Sequence, residues 1–129
     1  KLLTHVSDVM RGGDQVPRAT PQANVSELMR AMSTGGFGAA AVLEPDGHAA
    51  GIFTDGDLRR LVEAGVDLRT APAQDVMHRG LRTIRVDGLA VEAAELMEQH
   101  GITRLFVVDG DDKIVGALNT NDLMRAKVI

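Results

Sequence analysis

The sequence predicts a mixed α/β fold made of two tandem repeats, each with the order β-α-β-β-α. Three observations support this prediction. The stretch Val6–Met10 recurs as Ala73–Met77, with Asp-Val-Met at the end of both copies. Short apolar runs suited to buried strands alternate with helical patterns, and they do so in the same order in both halves. Self-similarity of this kind is typical of repeats that bury a core together.

In the first half, a turn of helix is followed by the elements of the repeat. Val16–Thr20 is a short strand candidate, and Val25–Met32 carries apolar residues at the i, i+3, i+4, i+7 spacing of an amphipathic helix. Gly38–Leu43 and Ala49–Phe53 flank a stretch rich in turn-forming residues, which predicts a hairpin. A helix over Asp55–Glu63 closes the half.

The second half repeats this order. The corresponding candidates are a strand at Leu81–Val86, a helix beginning at Ala90, strands at Arg104–Val108 and Ile114–Leu118, and a helix at Thr120–Ala126. We therefore predict one repeat over residues 1–65 and a second over residues 66–129. A unit of about 60 residues buries little surface alone. The two repeats are accordingly expected to pack as a pseudo-two-fold pair.

The composition excludes several classes of function. A net charge of −4 without a basic stripe argues against nucleic-acid binding. No apolar run approaches the length of a membrane span, and the absence of cysteine excludes thiolate chemistry and fits a cytoplasmic protein. His5, His48, His78 and His100 lack metal-ligand spacing, so we predict surface or turn histidines and no metal site. No acid-base or nucleophilic set is recognisable, which disfavours an enzyme.

One polar turn carries the strongest chemical signal. In Gly51–Leu58 an apolar run enters a turn that opens a helix, and Thr54 and Asp57 are three residues apart. Both side chains can therefore face one side of the helix start, where the macrodipole favours an ionised carboxylate. A carboxylate accepts hydrogen bonds and a ribose diol donates two, while Thr54 can donate to a phosphate oxygen. The pair suits a ribonucleotide, although Asp55 and Asp57 are also explained as ordinary helix caps.

These features resemble the CBS domain pair, or Bateman module, over essentially the whole chain. The resemblance rests on Asp-Val-Met in both halves, on the element order, and on Gly51–Leu58. It implies that Thr54 and Asp57 contact the ribose and phosphate of a nucleotide in a cleft between the repeats. In the second copy Asp122 is kept, but Asn119 replaces the expected threonine or serine. We expect that second site to be weaker, altered or empty.

Further ligand-contact candidates come from the flanking strands. Arginines suit phosphate and carboxylate oxygens, although they are also explained as solvated surface charges. Small residues before the third strand of the first repeat would let the backbone approach a base. The candidates beyond Thr54, Asp57, Asn119 and Asp122 are Asp55, Gly36, Phe37, Gly38, Arg82, Arg85, Thr103 and Arg104.

A narrower resemblance concerns Met10–Pro17, Gly51–Arg60 and Leu89–Ala93. These stretches are similar to the C-terminal CBS pair of bacterial arabinose-5-phosphate isomerases, which serve 3-deoxy-D-manno-octulosonate (Kdo) and lipopolysaccharide synthesis. In that family the catalytic sugar-isomerase domain lies upstream. The resemblance therefore implies a regulatory module with an upstream isomerase domain as its partner, and no isomerase activity in this chain.

Three functions remain open from the sequence. The first is a sensor that requires no cofactor but binds a nucleotide or nucleotide sugar, with CMP-Kdo favoured and AMP or ATP as the alternative. The second is a ligand-free oligomerisation module, and the third, least favoured, is an independent enzyme. A homodimer of CBS pairs is expected, with apolar residues of the closing helices as its surface: Leu58, Leu61, Val62, Leu123 and Met124.

Overall fold

The structure, a computed structural model, describes residues 3–129. Helices and short strands alternate along this part of the chain. In order they are α1 (Val6–Val9), β1 (Arg11–Gly12), β2 (Arg18–Ala19), α2 (Val25–Met32), β3 (Ala39–Leu43), β4 (Ala49–Thr54), α3 (Asp55–Ala64), α4 (Ala73–Val76), β5 (Thr83–Arg85), α5 (Ala90–His100), β6 (Arg104–Val108), β7 (Ile114–Asn119) and α6 (Thr120–Arg125). Short 3-10 turns lie at Gly13–Gln15 and Thr34–Gly36.

The chain forms two compact units, which divide it differently from the sequence repeats. One unit is continuous and comprises Pro17–Leu81, whereas the other combines the segment up to Val16 with Arg82–Ile129. The segment that opens each repeat therefore packs in the unit that contains the rest of the other repeat. The boundary predicted between residues 65 and 66 separates two similar stretches of sequence, whereas the compact units are divided after residues 16 and 81.

The continuous unit, residues 17–81, contains a three-stranded sheet in the order β2-β3-β4. Strand β2 is parallel to β3, and β3 is antiparallel to β4. Helix α2 begins at Val25 after a capping box in which Asn24 Oδ1 accepts from the Glu27 backbone N–H at 2.9 Å. Its apolar face packs on the sheet in a core that includes Leu28, Phe53 and the α4 residue Ala73.

The second unit contains a four-stranded sheet in the order β1-β7-β6-β5. Strands β5 and β6 are parallel, while β6 with β7 and β7 with β1 are antiparallel. Helices α5 and α6 cover the core, in which Leu105, Leu118 and Leu123 are fully buried. Helix α5 ends at Gly101, whose left-handed backbone (φ 61°) closes the helix and is readily adopted by glycine.

Most of the predicted elements are present. The strand predicted at Arg104–Val108 has those limits, whereas the one predicted at Val16–Thr20 is confined to Arg18–Ala19, the two residues that pair with β3. Among the residues expected to supply a dimer surface, Leu123 was wrongly assigned because it is fully buried in the core. Val62 and Met124 are 60% and 54% exposed and fit that expectation better.

Candidate functional site

The Thr54–Asp57 pair lies where β4 passes directly into α3. Thr54 is the N-cap of α3, and its Oγ1 accepts from the Asp57 backbone N–H at 3.3 Å. In return, Asp57 Oδ2 accepts from the Thr54 backbone N–H at 2.9 Å and from its hydroxyl at 3.1 Å. The pair is thus a capping box, which satisfies two backbone N–H groups that the helix leaves without intrahelical partners. The helix-cap interpretation is confirmed for Asp57, whereas Thr54 and not Asp55 is the N-cap.

Asp57 is a buried carboxylate with an arginine and a histidine as neighbours. Its side chain is only 5% exposed, and Arg60, one turn later in α3, donates to Oδ1. The Nδ1 of His78 lies 2.7 Å from Oδ2 and 2.9 Å from Oδ1. Because an ionised carboxylate can only accept, Nδ1 is the donor, and with Thr54 these groups occupy the roughly four acceptor positions of the carboxylate.

His78 reaches Asp57 because the chain after α4 returns along the edge of β4. His78 forms an isolated antiparallel bridge with Ile52, in which the two backbones exchange hydrogen bonds of 2.9 and 3.0 Å. This pairing brings the imidazole beside the first turn of α3. A side chain at Gly51 would obstruct it, since an added Cβ there would lie 2.6 Å from Met77 Sδ and 2.8 Å from the His78 carbonyl oxygen.

The second unit repeats this arrangement with different residues. Asn119 caps α6, where its Oδ1 accepts from the Asp122 backbone N–H at 2.9 Å. The Asp122 carboxylate, 4% exposed, accepts from Arg125 Nη1 at 3.2 Å. It also accepts from Arg11, whose Nε lies 3.1 Å from Oδ2 and whose Nη2 lies 3.3 Å from Oδ1. Asn119 is therefore the N-cap of α6, as Thr54 is the N-cap of α3.

Arg11 and His78 occupy equivalent positions. Arg11 pairs with Ala117, two residues before the Asn119 cap, just as His78 pairs with Ile52, two residues before the Thr54 cap. The two side chains differ in accessibility, since that of Arg11 is 16% exposed and that of His78 is 45% exposed. A bidentate guanidinium in a nearly closed position is a stronger partner for a carboxylate than a half-exposed imidazole is.

The other candidates of the first repeat lie in the continuous unit. Gly36 and Gly38 have positive φ values of 70° and 82° and precede β3, whose residue Ala39 pairs with Thr54. Phe37, between them, is 2% exposed, so its ring is part of the interior and cannot stack on a base. Its proposed role is therefore limited to the backbone. Asp55 is exposed in the first turn of α3.

The remaining candidates belong to the second unit. Arg104 begins β6 opposite Asn119, and the carbonyl oxygen of Thr103 accepts from the Thr120 backbone N–H at 3.0 Å. Thr103 and Arg104 are therefore next to the second cap. Arg82 precedes β5 and is exposed, and Arg85 Nη2 contacts Asp87 at 3.4 Å. Within residues 3–129, the arginines that contact Asp122 are Arg11 and Arg125, and not Arg82 or Arg85.

The sequence analysis did not identify four side chains that contact the two carboxylates. His78 was predicted to be a surface or turn residue, and Arg11, Arg60 and Arg125 were not considered. Two signals could have identified them. Arg11 and His78 each follow an Asp-Val-Met segment directly, and Arg60 and Arg125 each lie three residues after the motif aspartate.

The described part of the chain shows neither a metal site nor a membrane-spanning helix. Across residues 3–129, no group of three or more histidine, aspartate or glutamate side chains is arranged to hold a metal ion. No helix within the same residues has both the length and the apolar character to span a bilayer.

Comparison with known proteins gives similarity over the whole chain. The arabinose 5-phosphate isomerase KdsD of Pseudomonas aeruginosa is 43% identical over 129 residues, which are all of this chain and 40% of that protein. The chain thus spans about two fifths of the length of this curated relative. KdsD of Escherichia coli K12 is 39% identical over the same length and 39% of its own chain.

Solved structures show the same fold. A conserved protein from Pyrococcus horikoshii has a TM-score of 0.81 and 26% identity, over 98% of this chain and 94% of that one. The protein CBSX2 in complex with AMP has a TM-score of 0.78 and 21% identity, over 97% and 96% of the two chains. The CBS domain family itself matches twice, over residues 6–64 and 73–129. With these two matches covering nearly all of its length, the chain belongs to the CBS domain family.

Proposed function

We propose that this chain is a regulatory module that binds a nucleotide or nucleotide sugar through Thr54 and Asp57. The observation that carries the proposal is the Asp57 carboxylate at the start of α3, held between the Thr54 cap and the exposed side chains of Arg60 and His78. Membership of the CBS family and the AMP bound by the similarly folded CBSX2 support a nucleotide as the ligand.

The chemistry of the pair fits a ribonucleotide. A ribose diol offers two hydroxyl donors, and an ionised carboxylate accepts both. The Thr54 hydroxyl, which donates to Asp57 in this structure, can rotate toward a phosphate oxygen. Backbone N–H groups in the first turn of α3 add positive potential for an anion. The first repeat is the primary site in this proposal.

The favoured ligand is CMP-Kdo, acting as a feedback signal on an isomerase domain elsewhere in the parent protein. The similarity to KdsD supports an arabinose-5-phosphate isomerase as that parent and a place in Kdo and lipopolysaccharide synthesis. The chain has no Tyr or Trp, a lack that a pyrimidine ligand tolerates better than a purine. AMP or ATP is the alternative ligand.

Calorimetric titration with CMP-Kdo, AMP and ATP in parallel tests the proposal. We expect CMP-Kdo to bind most tightly, and micromolar binding of AMP or ATP without binding of CMP-Kdo would refute the feedback proposal. Asp57→Asn should weaken binding about tenfold or more, because a charge-assisted hydrogen bond is lost. The equivalent change Asp122→Asn is the matched control and should have a smaller effect. Unfolding curves must accompany both, since each aspartate also caps a helix.

A second candidate function is an oligomerisation module, which the exposed apolar residues Val62 and Met124 favour. Such a module would self-associate without any ligand. It is compatible with the sensor, but it becomes the better description if none of the three nucleotides binds. Light scattering at several protein concentrations, with and without nucleotide, separates the two.

A further inference from the structure

The carboxylates of Asp57 and Asp122 differ in how many of their acceptor positions can become free for a ligand. Asp57 is shared by Arg60, whose side chain is 67% exposed, and His78, whose side chain is 45% exposed. Because both side chains are largely exposed, each can turn into solvent, where water replaces the hydrogen bond that it gives up. Asp122 is shared by the exposed Arg125 and by Arg11, which is 16% exposed and binds both carboxylate oxygens.

This difference bears directly on a ligand with two hydroxyl donors. The backbone N–H of each helix cap keeps one acceptor position in both units. A diol needs two more, and Asp57 can provide them if Arg60 and His78 both move. At Asp122 Arg11 retains its positions, because its mostly buried side chain would give up two charge-assisted hydrogen bonds at once.

We propose that His78 is an intramolecular competitor for the Asp57 carboxylate, which a ribose must displace, and that Arg11 permanently closes Asp122 to the same ligand. This inference rests on the proposed nucleotide site at Thr54 and Asp57. His78 would lower the affinity of that site rather than contribute to it. The residue that follows Asp-Val-Met in each half thereby decides whether the adjacent site can open.

Substitutions at residue 78 test the competition because they shift affinity in opposite directions. In calorimetric titrations of the whole chain with CMP-Kdo and with AMP, His78→Ala should bind the nucleotide about three- to tenfold more tightly, since no hydrogen bond to Asp57 has to be broken. His78→Arg reproduces the arrangement of the second unit and should bind about tenfold more weakly. A purely structural role for His78 would make both variants weaker.

His48 supplies a matched control. Its Nδ1 lies 3.0 Å from Asp46 and its side chain is 44% exposed, so it forms a comparable pair away from Asp57. His48→Ala should leave the affinity unchanged. Nitrogen NMR gives a second readout: nucleotide should shift the His78 Nδ1 resonance and leave the Arg11 Nε resonance in place.

The outcomes distinguish the two proposals. If the unmodified chain binds nucleotide and His78→Ala binds it equally or more weakly, His78 is not a competitor although the nucleotide site stands. A shift of Arg11 Nε on binding would likewise overturn the closure of Asp122. If neither the unmodified chain nor His78→Ala binds CMP-Kdo or AMP, the proposed function fails and this inference fails with it.

Discussion

His78 Nδ1 lies 2.7 Å from Asp57 Oδ2, and this contact is equivalent to that of Arg11 with Asp122 in the other unit. In both cases a segment that opens one repeat provides the donor, and a helix that closes the other provides the carboxylate. The contacts connect residues that are 21 and 111 positions apart in sequence, so each one holds two distant segments together whether or not a ligand binds. Its contribution to stability can be measured separately from ligand binding.

Arg11→Ala should destabilise the protein more than His78→Ala. Removing Arg11 leaves Asp122 buried beside the exposed Arg125 alone, which we expect to cost about 2–4 kcal/mol of unfolding free energy. Removing His78 leaves Asp57 with Arg60 and Thr54, and about 1 kcal/mol is expected. Urea unfolding measures both.

The exposed pair of Arg69 and Asp67 is the control for this comparison. The Arg69 side chain is 89% exposed, so Arg69→Ala should leave the unfolding midpoint unchanged. Equal losses for Arg11→Ala and His78→Ala would contradict the difference in burial on which the prediction depends.

Alanine substitutions at Gly51 and at Gly56 should change the free energy of unfolding in opposite directions. At Gly51 the new Cβ meets Met77 Sδ and the His78 carbonyl, and a cost of about 1–3 kcal/mol follows because backbone atoms must move. At Gly56, inside α3, the nearest atom is Arg60 Nη1 at 3.5 Å, an ordinary contact. Gly56→Ala should stabilise by about 0.4–1 kcal/mol through helix propensity. Chemical unfolding of both variants checks the signs, and a stabilising Gly51→Ala would refute the close packing.

Charge placed on the exposed apolar residues of the closing helices should prevent self-association. Val62 is 60% exposed on α3 and Met124 is 54% exposed on α6. If the module is a dimer through these helices, Val62→Glu or Met124→Glu should give monomers in light scattering, because a buried unpaired carboxylate is costly. Glu63→Gln, a polar change beside Val62, is the control. An unmodified chain that is monomeric at high concentration would end the dimer prediction.

The Asp67 carboxyl should titrate at unusually low pH. The backbone N–H of Arg69, at 3.0 Å, and then its Nε, at 3.2 Å, hold the pKa of Asp67 below its ordinary value. A depressed folded-state pKa gives a contribution to stability that is present above the unfolded-state pKa and is lost as pH falls through the folded-state pKa. Carbon NMR should find a low midpoint that Arg69→Ala raises only in part, since the backbone donor remains. A midpoint at the ordinary value would contradict the hydrogen bonds.

Local patterns predicted most of the fold, because each helix and strand is encoded within a few residues. The apolar spacing of α2 and the polar turn that opens α3 are examples. The packing of α4 was not predictable in this way. Repetition shows that the segments around Val6 and Ala73 are alike, but it does not show in which unit each one packs.

The candidate site was predicted in part for the same reason. Thr54 and Asp57 were found because they are three residues apart on one helix. The side chain that shares the carboxylate comes from a segment 21 residues away, so spacing within one helix could not place His78 beside Asp57. Asp57 has a structural role in addition to the proposed ligand contact, because its carboxylate also caps α3.

The packing of each opening segment in the other unit has a consequence for a chain with one repeat. Residues 66–129 alone would contain the segment of α4 but not the segment of α1 and β1, which lies in the unit with Arg82–Ile129. In such a chain, the edge of the sheet would be completed only if the opening segment of a second copy packed against it. Duplication within one chain turns that exchange between molecules into an ordinary intramolecular contact.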